Sequence, residues 1–254
     1  METTHSHHLQ LHNNSKLNLL KPQVKIFTVF VIVLSIAFLS LENYSIILSQ
    51  TAIVIYLLWL SKLRLSKYLK RLSVAIPFVL FALFLPFLSK GNNEVLFKVL
   101  NLNVYKTGVL EMTNILIKIT LCVTLAIVLT ATTSNIEIIY GLQKLKISPL
   151  LIAIFSFAIR YIDVFIDEVK RVRIAMKSRG YIEKGFKGLK PLAFASGALL
   201  IRGYERGERV YNSMISRGFN GTIELKNRSY EKSNFLYLLS ILAVSNLLID
   251  RFYL

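Results

Sequence analysis

Apolar residues in this chain come in long runs. Residues 24–41 form the first run, Glu42 and Asn43 interrupt it, and residues 44–60 form the second. Each is roughly 17–18 residues, near the lower limit for a helix crossing a bilayer core of about 30 Å. The short break makes the two a helical hairpin, and Tyr56 and Trp59 near the end of the second suit an interfacial aromatic belt. Residues 72–88 form a third run that contains Pro77 and Pro86. Proline removes a backbone donor and kinks a helix, which membrane bundles tolerate when neighbours re-satisfy the backbone. After a mixed loop at residues 89–108, residues 109–131 form a fourth run and residues 235–249 a fifth. The pattern predicts an all-α integral membrane protein with about five transmembrane helices.

Between the fourth and fifth runs the period changes. Ile136, Ile139, Leu142 and Leu145 fall in register on a short amphipathic helix over residues 135–146, which the hydroxyls around Thr132, Thr133 and Ser134 can cap. Ser148 and Pro149 then open a long helix that ends near Arg179. One face carries Leu150, Ile154, Phe157, Tyr161, Phe165, Val172 and Met176, and the opposing side carries Arg160, Asp163, Asp167, Lys170, Ile174 and Lys177. Asp167 and Arg171 are spaced for an i,i+4 ion pair, as are Glu205 and Arg209 on a second long helix running from Pro191 to Arg217. Gly203 and Gly207 in that second helix are expected to mark a helix crossing, because small residues let backbones approach closely. Gly180 and Gly218 suit the left-handed position that closes a helix.

Composition supports the membrane reading. The chain of 254 residues is 54% hydrophobic and only 18% charged, with a mean hydropathy of +0.54, yet its net charge is +17. A basic chain can bind nucleic acid, but such chains are rarely this apolar, so no nucleic-acid partner is expected. Cationic loops beside membrane spans account for both facts. Lys62, Arg64, Lys67, Lys70 and Arg71 follow the second run without an acid among them, which places that loop in the cytoplasm. With five spans and a cytoplasmic N-terminus, the basic region between the fourth and fifth runs also falls inside. Lys118 within the fourth run either faces protein or snorkels to a headgroup.

The chemistry of catalysis is missing. There is no G-x-x-x-x-G-K-[ST], H-E-x-x-H or G-x-S-x-G. The single cysteine, Cys122, lies in an apolar run and cannot form an internal disulfide. All four histidines (His5, His7, His8 and His12) sit in the polar N-terminal tail with no further ligands to complete a metal site. A non-catalytic chain without cofactor or metal is expected. What stands out is a repeat. Ala175-Met176-Lys177-Ser178-Arg179-Gly180-Tyr181 is echoed by Ser213-Met214-Ile215-Ser216-Arg217-Gly218-Phe219. An arginine just before a helix-terminating glycine projects from a stiff stub, and its guanidinium fork suits a carboxylate in a partner's groove. Two stubs imply a partner with two such grooves. Anionic headgroups would explain the charge but not the repeated order.

These motifs resemble those of the transmembrane (T) component of energy-coupling factor (ECF) transporters, the CbiQ/EcfT family of ATP-binding-cassette importers. The resemblance takes in Pro22-Gln23-Val24-Lys25, similar to a Pro-x-x-Lys lead into the first span, then Thr132-Thr133, Pro149, Arg160-Tyr161-Ile162, Glu168 and both Ser-Arg-Gly motifs. It implies a cytoplasmic tail at 1–23, a four-span region at 24–131, cytoplasmic coupling helices at 132–233 and a C-terminal transmembrane helix at 234–254. It further implies two ABC-type ATPase subunits as partners, docked through Ser178, Arg179, Gly180, Ser216, Arg217 and Gly218, and a separate substrate-binding membrane S component. ATP-driven motion would pass through crossing coupling helices to that S component in the cell membrane. The run from Leu200 to Tyr211, with Met214 and Arg217-Gly218-Phe219-Asn220-Gly221, looks most like cobalt and nickel members. A vitamin importer, or a basic scaffold binding anionic lipid, is the alternative.

Overall fold

The computed structural model describes residues 16–39, 44–88, 95–99, 102–181, 188–223, 230 and 233–253. The N-terminal histidines and Lys184 and Lys187 lie outside the described residues. The chain divides into two compact units, one comprising residues 9–141 and 228–254, the other residues 142–227.

In the first unit, four of the five apolar runs fold as single helices: α1 (Pro22–Phe38), α2 (Tyr44–Ser61), α6 (Lys106–Thr132) and α10 (Asn234–Tyr253). α1 packs on α6 and α10, and α2 packs on the same two helices. Val24, Thr28, Ile32, Ser35 and Ile36 make a buried helical stripe on α1, while Phe27, Phe30, Leu34 and Phe38 on its other sides stay exposed. A helix apolar all round with one half unburied is built for lipid contact. The core joins that stripe to Ile53, Val54, Leu57, Leu125, Leu236 and Ala243. Polar groups knit the same helices. Ser35 Oγ donates to the Ala243 carbonyl at 2.7 Å, Gln50 Nε2 donates to Ser35 Oγ at 2.9 Å and to the same carbonyl at 3.2 Å, and Asn246 Nδ2 donates to Ser49 Oγ at 2.8 Å.

Two lysines tie α1 to α6 from opposite ends. Lys25 Nζ, in the first turn of α1, donates to the Thr132 carbonyl at the end of α6, and Lys118 Nζ on α6 donates to the Ala37 carbonyl in the last turn of α1, both at 3.1 Å. The helices therefore run antiparallel, and each lysine caps carbonyls that the other helix leaves without an internal partner. Lys118 thus faces protein.

The third run is not one span. The basic segment before it folds as α3 (Leu65–Leu72); a 3-10 turn at Ser73–Ala75, α4 (Ile76–Ala82) and α5 (Leu85–Leu88) follow, and α3, α4 and α5 pack on α6. The backbone stays right-handed helical through residues 72–76 and again at Leu83, and the breaks fall just ahead of the prolines, a 3-10 turn at Ser73–Ala75 before Pro77 and a turn at residues 83–84 before Pro86, so the prolines interrupt the run as expected. Part of the expected mixed loop also has order. β1 (Val95–Val99) pairs antiparallel with β2 (Leu102–Tyr105), with a register shift between Val95 and Phe97. This hairpin is the one exception to an all-helical chain among the described residues.

α7 (Asn135–Lys144) begins on a reciprocal cap: the Ser134 N–H donates to Glu137 Oε2 at 3.0 Å and the Glu137 N–H to Ser134 Oγ at 3.3 Å. The boundary between the units falls within α7, after Gly141. The second unit holds α8 (Pro149–Ser178) and α9 (Leu189–Ile215), each close to its predicted bounds, which pack on each other.

Candidate docking site

The two Ser-Arg-Gly motifs close α8 and α9 in the same way. At the end of α8 the Gly180 N–H donates to the Lys177 carbonyl at 3.0 Å and the Tyr181 N–H to the Met176 carbonyl at 3.1 Å. At the end of α9 the Gly218 N–H donates to the Ile215 carbonyl at 2.9 Å and the Phe219 N–H to the Met214 carbonyl at 3.0 Å. These paired bonds define the Schellman motif, in which one left-handed residue reverses the chain. The glycines supply it, with φ of 78° at Gly180 and 81° at Gly218.

That geometry accounts for most of the repeated sequence. Methionine and the aromatic residue occupy the two positions that commonly make the apolar contact of a Schellman end, and Met176, Tyr181, Met214 and Phe219 are all half-buried. Ser178 Oγ donates to the Ile174 carbonyl at 3.1 Å and Ser216 Oγ to the Asn212 carbonyl at 2.8 Å, each one turn back. Arginine is the position left over. Arg179 and Arg217 are exposed, and among the described residues neither guanidinium has a hydrogen-bond or ion-pair partner.

Arg202 on α9 meets Glu168 on α8, with Nη1 donating to Oε1 at 2.7 Å. The Glu168 side chain is only 18% exposed, against 59% for Arg202. This hydrogen bond holds the Glu168 carboxyl below its ordinary value; desolvation opposes the shift, and the charges of Arg202, Arg171 and Arg206 add to it. The expected Asp167–Arg171 pair is replaced by neighbours one residue closer, Lys170 to Asp167 at 3.3 Å and Arg171 to Glu168 at 3.9 Å. Glu205 and Arg209 do pair, at 4.0 Å.

Two grooves flank this bridge. One, of about 1100 Å³, is lined by Arg171, Met176, Arg179, Phe194, Ala198 and Arg202. The other, of about 500 Å³, is lined by the predicted apolar face of α8 (Ile154, Phe157, Tyr161 and Phe165) together with Gly203 and Gly207. Those glycines were expected where the helices touch. A Cβ at either would meet nothing within 4 Å, so they open a groove and do not close a crossing. Sequence reading missed the Glu168–Arg202 bridge. Both charges were visible, but nothing along a single chain says which of several arginines on α9 faces which acid on α8.

The fold and the site define a class first: an integral membrane protein with an apolar bundle and a basic helix pair ending in two matched arginines. A family model described as the cobalt transport protein CbiQ matches residues 13–230. EcfT, the energy-coupling factor transporter transmembrane protein of Staphylococcus aureus, is 28% identical over 235 residues, covering 86% of this chain and 84% of its own length. EcfT of Bacillus subtilis is 26% identical over 219 residues, 80% of each chain. An uncharacterized protein of Methanocaldococcus jannaschii, MJ1571, is 30% identical over 181 residues, 68% of this chain and 61% of its own length. The chain belongs to the CbiQ/EcfT family of energy-coupling factor transporter transmembrane components.

Proposed function

We propose that this chain is the coupling subunit of an ECF-type importer. Arg179 and Arg217 each enter an acidic groove on one of two ATP-binding-cassette ATPase subunits, and α8 and α9 carry the resulting motion to a substrate-binding membrane S component. The observation behind this is the repeat itself: helix closure accounts for every recurring position except the arginine. The helix pair lies on the cytoplasmic side of the plasma membrane. By length and apolarity α8 could cross a bilayer. Its uncharged part, residues 149–159, gives only about 16 Å of helix, and Arg160, Asp163, Asp167, Glu168, Lys170, Arg171 and Arg173 follow.

The cargo we propose is cobalt or nickel, from the family description and the resemblance over residues 200–221. The test is copurification with candidate ATPase subunits, followed by ATP-driven uptake of cobalt(II), nickel(II) or a vitamin into vesicles. Arg179→Ala and Arg217→Ala should each weaken association, since truncating one member of a buried charge pair costs about 2–5 kcal/mol, and the double change should abolish uptake. A double variant that still binds ATPases and transports normally would refute the docking role. Uptake of a vitamin with no metal would refute the cargo alone.

A further inference from the structure

The membrane unit contains a junction that docking leaves unused. Lys25 is 4% exposed, and its ammonium donates to the Thr132 carbonyl at the end of α6. Thr132 and Thr133 are buried with it. Immediately afterwards Ser134 and Glu137 close the first turn of α7. Further along α7, a Cβ on Gly141 would lie 2.7 Å from Ile26 Cδ1, 3.1 Å from the Gln23 nitrogen and 3.1 Å from the Pro22 carbonyl carbon. A buried ammonium does not give up its partners without a large desolvation cost. Two of the three atoms facing Gly141 are backbone and cannot swing away. The start of α1 is therefore held to the end of α6 at Lys25 and lies against the second turn of α7 at Gly141.

We propose that Lys25 is a positioning residue for energy transfer. It pins the end of α6 to the start of α1 while Gly141 seats α7 against the same turn of α1, so that motion arriving along the chain from α8 moves α1 and is not absorbed as bending at residues 132–135. This rests on the coupling role proposed above. α7 runs on into α8 with only a short connection, so a loose α7 would let the coupling helices move while the membrane helices stay still. Lys25 belongs to the membrane unit and the docking arginines to the other, so its loss should separate ATP hydrolysis from transport without releasing the ATPases.

The experiment uses the full chain with its ATPase and S subunits in lipid vesicles. Spin labels are placed at Phe27→Cys on α1 and Ile136→Cys on α7, both exposed, with Cys122→Ser removing the one native thiol. The parent should give one narrow distance, the same without nucleotide and with ATP and vanadate. Lys25→Met should broaden it and lower cobalt(II) transported per ATP hydrolysed by about tenfold, within the usual range of coupling between distant sites, while ATPase association persists. Gly141→Ala should do the same by pushing α7 outward, and Lys25→Arg should restore both readouts. A narrow distance in both Lys25→Met and Gly141→Ala would overturn the proposal, as would broadening with an unchanged transport ratio. Should Lys25→Met fail to accumulate in the membrane, Lys25→Gln is read in its place, with the same two outcomes. If the parent binds no ATPase or takes up no cobalt, that failure falls on the proposed function, and the spin-label distances still decide whether Lys25 pins this junction.

Discussion

Gly180→Ala and Gly218→Ala test the docking site without touching the arginines. At both positions an added Cβ would meet nothing within 4 Å. The whole penalty is then backbone strain. An L-residue in the left-handed region costs about 1–2 kcal/mol, which shifts the balance between closed and frayed helix ends by roughly 5–30-fold. A frayed end still carries its arginine but no longer aims it. Docking should weaken by up to that factor, well short of the loss from deleting the guanidinium, about 2–5 kcal/mol. Asparagine tolerates positive φ better than alanine, so Gly→Asn should fall between parent and Gly→Ala. The assay is titration of the chain in lipid nanodiscs with a fluorescent ATPase pair. Gly203→Ala and Gly207→Ala are internal controls. They sit in open space inside α9, where alanine favours helix by about 1 kcal/mol over glycine, and should leave docking unchanged. Parent-like binding by Gly180→Ala and Gly218→Ala would refute the idea that closed helix ends aim the arginines. Equal losses at Gly203 and Gly207 would refute it too.

Other perturbations give smaller, separable effects. Glu168→Gln should loosen α8 from α9, and exchanging the charges with Glu168→Arg and Arg202→Glu together should restore part of the loss, read as protease resistance of the helix pair. Because the folded Glu168 carboxyl lies below its ordinary 4.5, its contribution is complete above about pH 5 and is lost only as pH falls below the unfolded value; loosening that begins near pH 6 would argue against the bridge. Lys118→Met should uncap α1 and cost about 0.5–1.5 kcal/mol in thermal unfolding, the net value of one hydrogen bond, with Lys118→Arg near parent. Ser35→Ala and Gln50→Leu should each cost less than the double change, since either side chain alone still satisfies the Ala243 carbonyl; a single variant as costly as the double in the same assay would contradict the hydrogen bonds described.

Much of the fold was legible because apolar run length and helix stop signals are local. α2 and α10 begin within one residue of where hydropathy put them, and Ser134 caps α7 as its hydroxyl suggested. The misreadings share a cause. Gly203 and Gly207 were taken as contact points because a missing side chain reads the same whether it admits a neighbour or leaves a groove. Lys118 stayed undecided because its acceptor, the Ala37 carbonyl, is a distant backbone group that leaves no mark in the local sequence.

The chain carries its own control for the docking motif. α7 ends as α8 and α9 do: the Lys146 N–H donates to the Gln143 carbonyl at 3.1 Å and the Ile147 N–H to the Leu142 carbonyl at 3.3 Å. Lys146 is the left-handed residue there, with φ of 61°, and Leu142 and Ile147 stand where methionine and the aromatic stand at the other two ends. The residue just before the left-handed position is Leu145, where the other ends have Arg179 and Arg217. The same reversal thus forms with no arginine and no glycine. Helix closure cannot be why arginine recurs at the other two ends, and the strain that Lys146 accepts is avoided only at the two ends that present one. Replacing Leu145 with arginine should leave α7 folded and add no third docking contact, because Leu145 is followed by a strained lysine and not by a relaxed glycine. A Leu145→Arg variant that rescued ATPase binding in an Arg179→Ala background would show that position along the helix pair does not matter, and the two-groove reading would have to be given up.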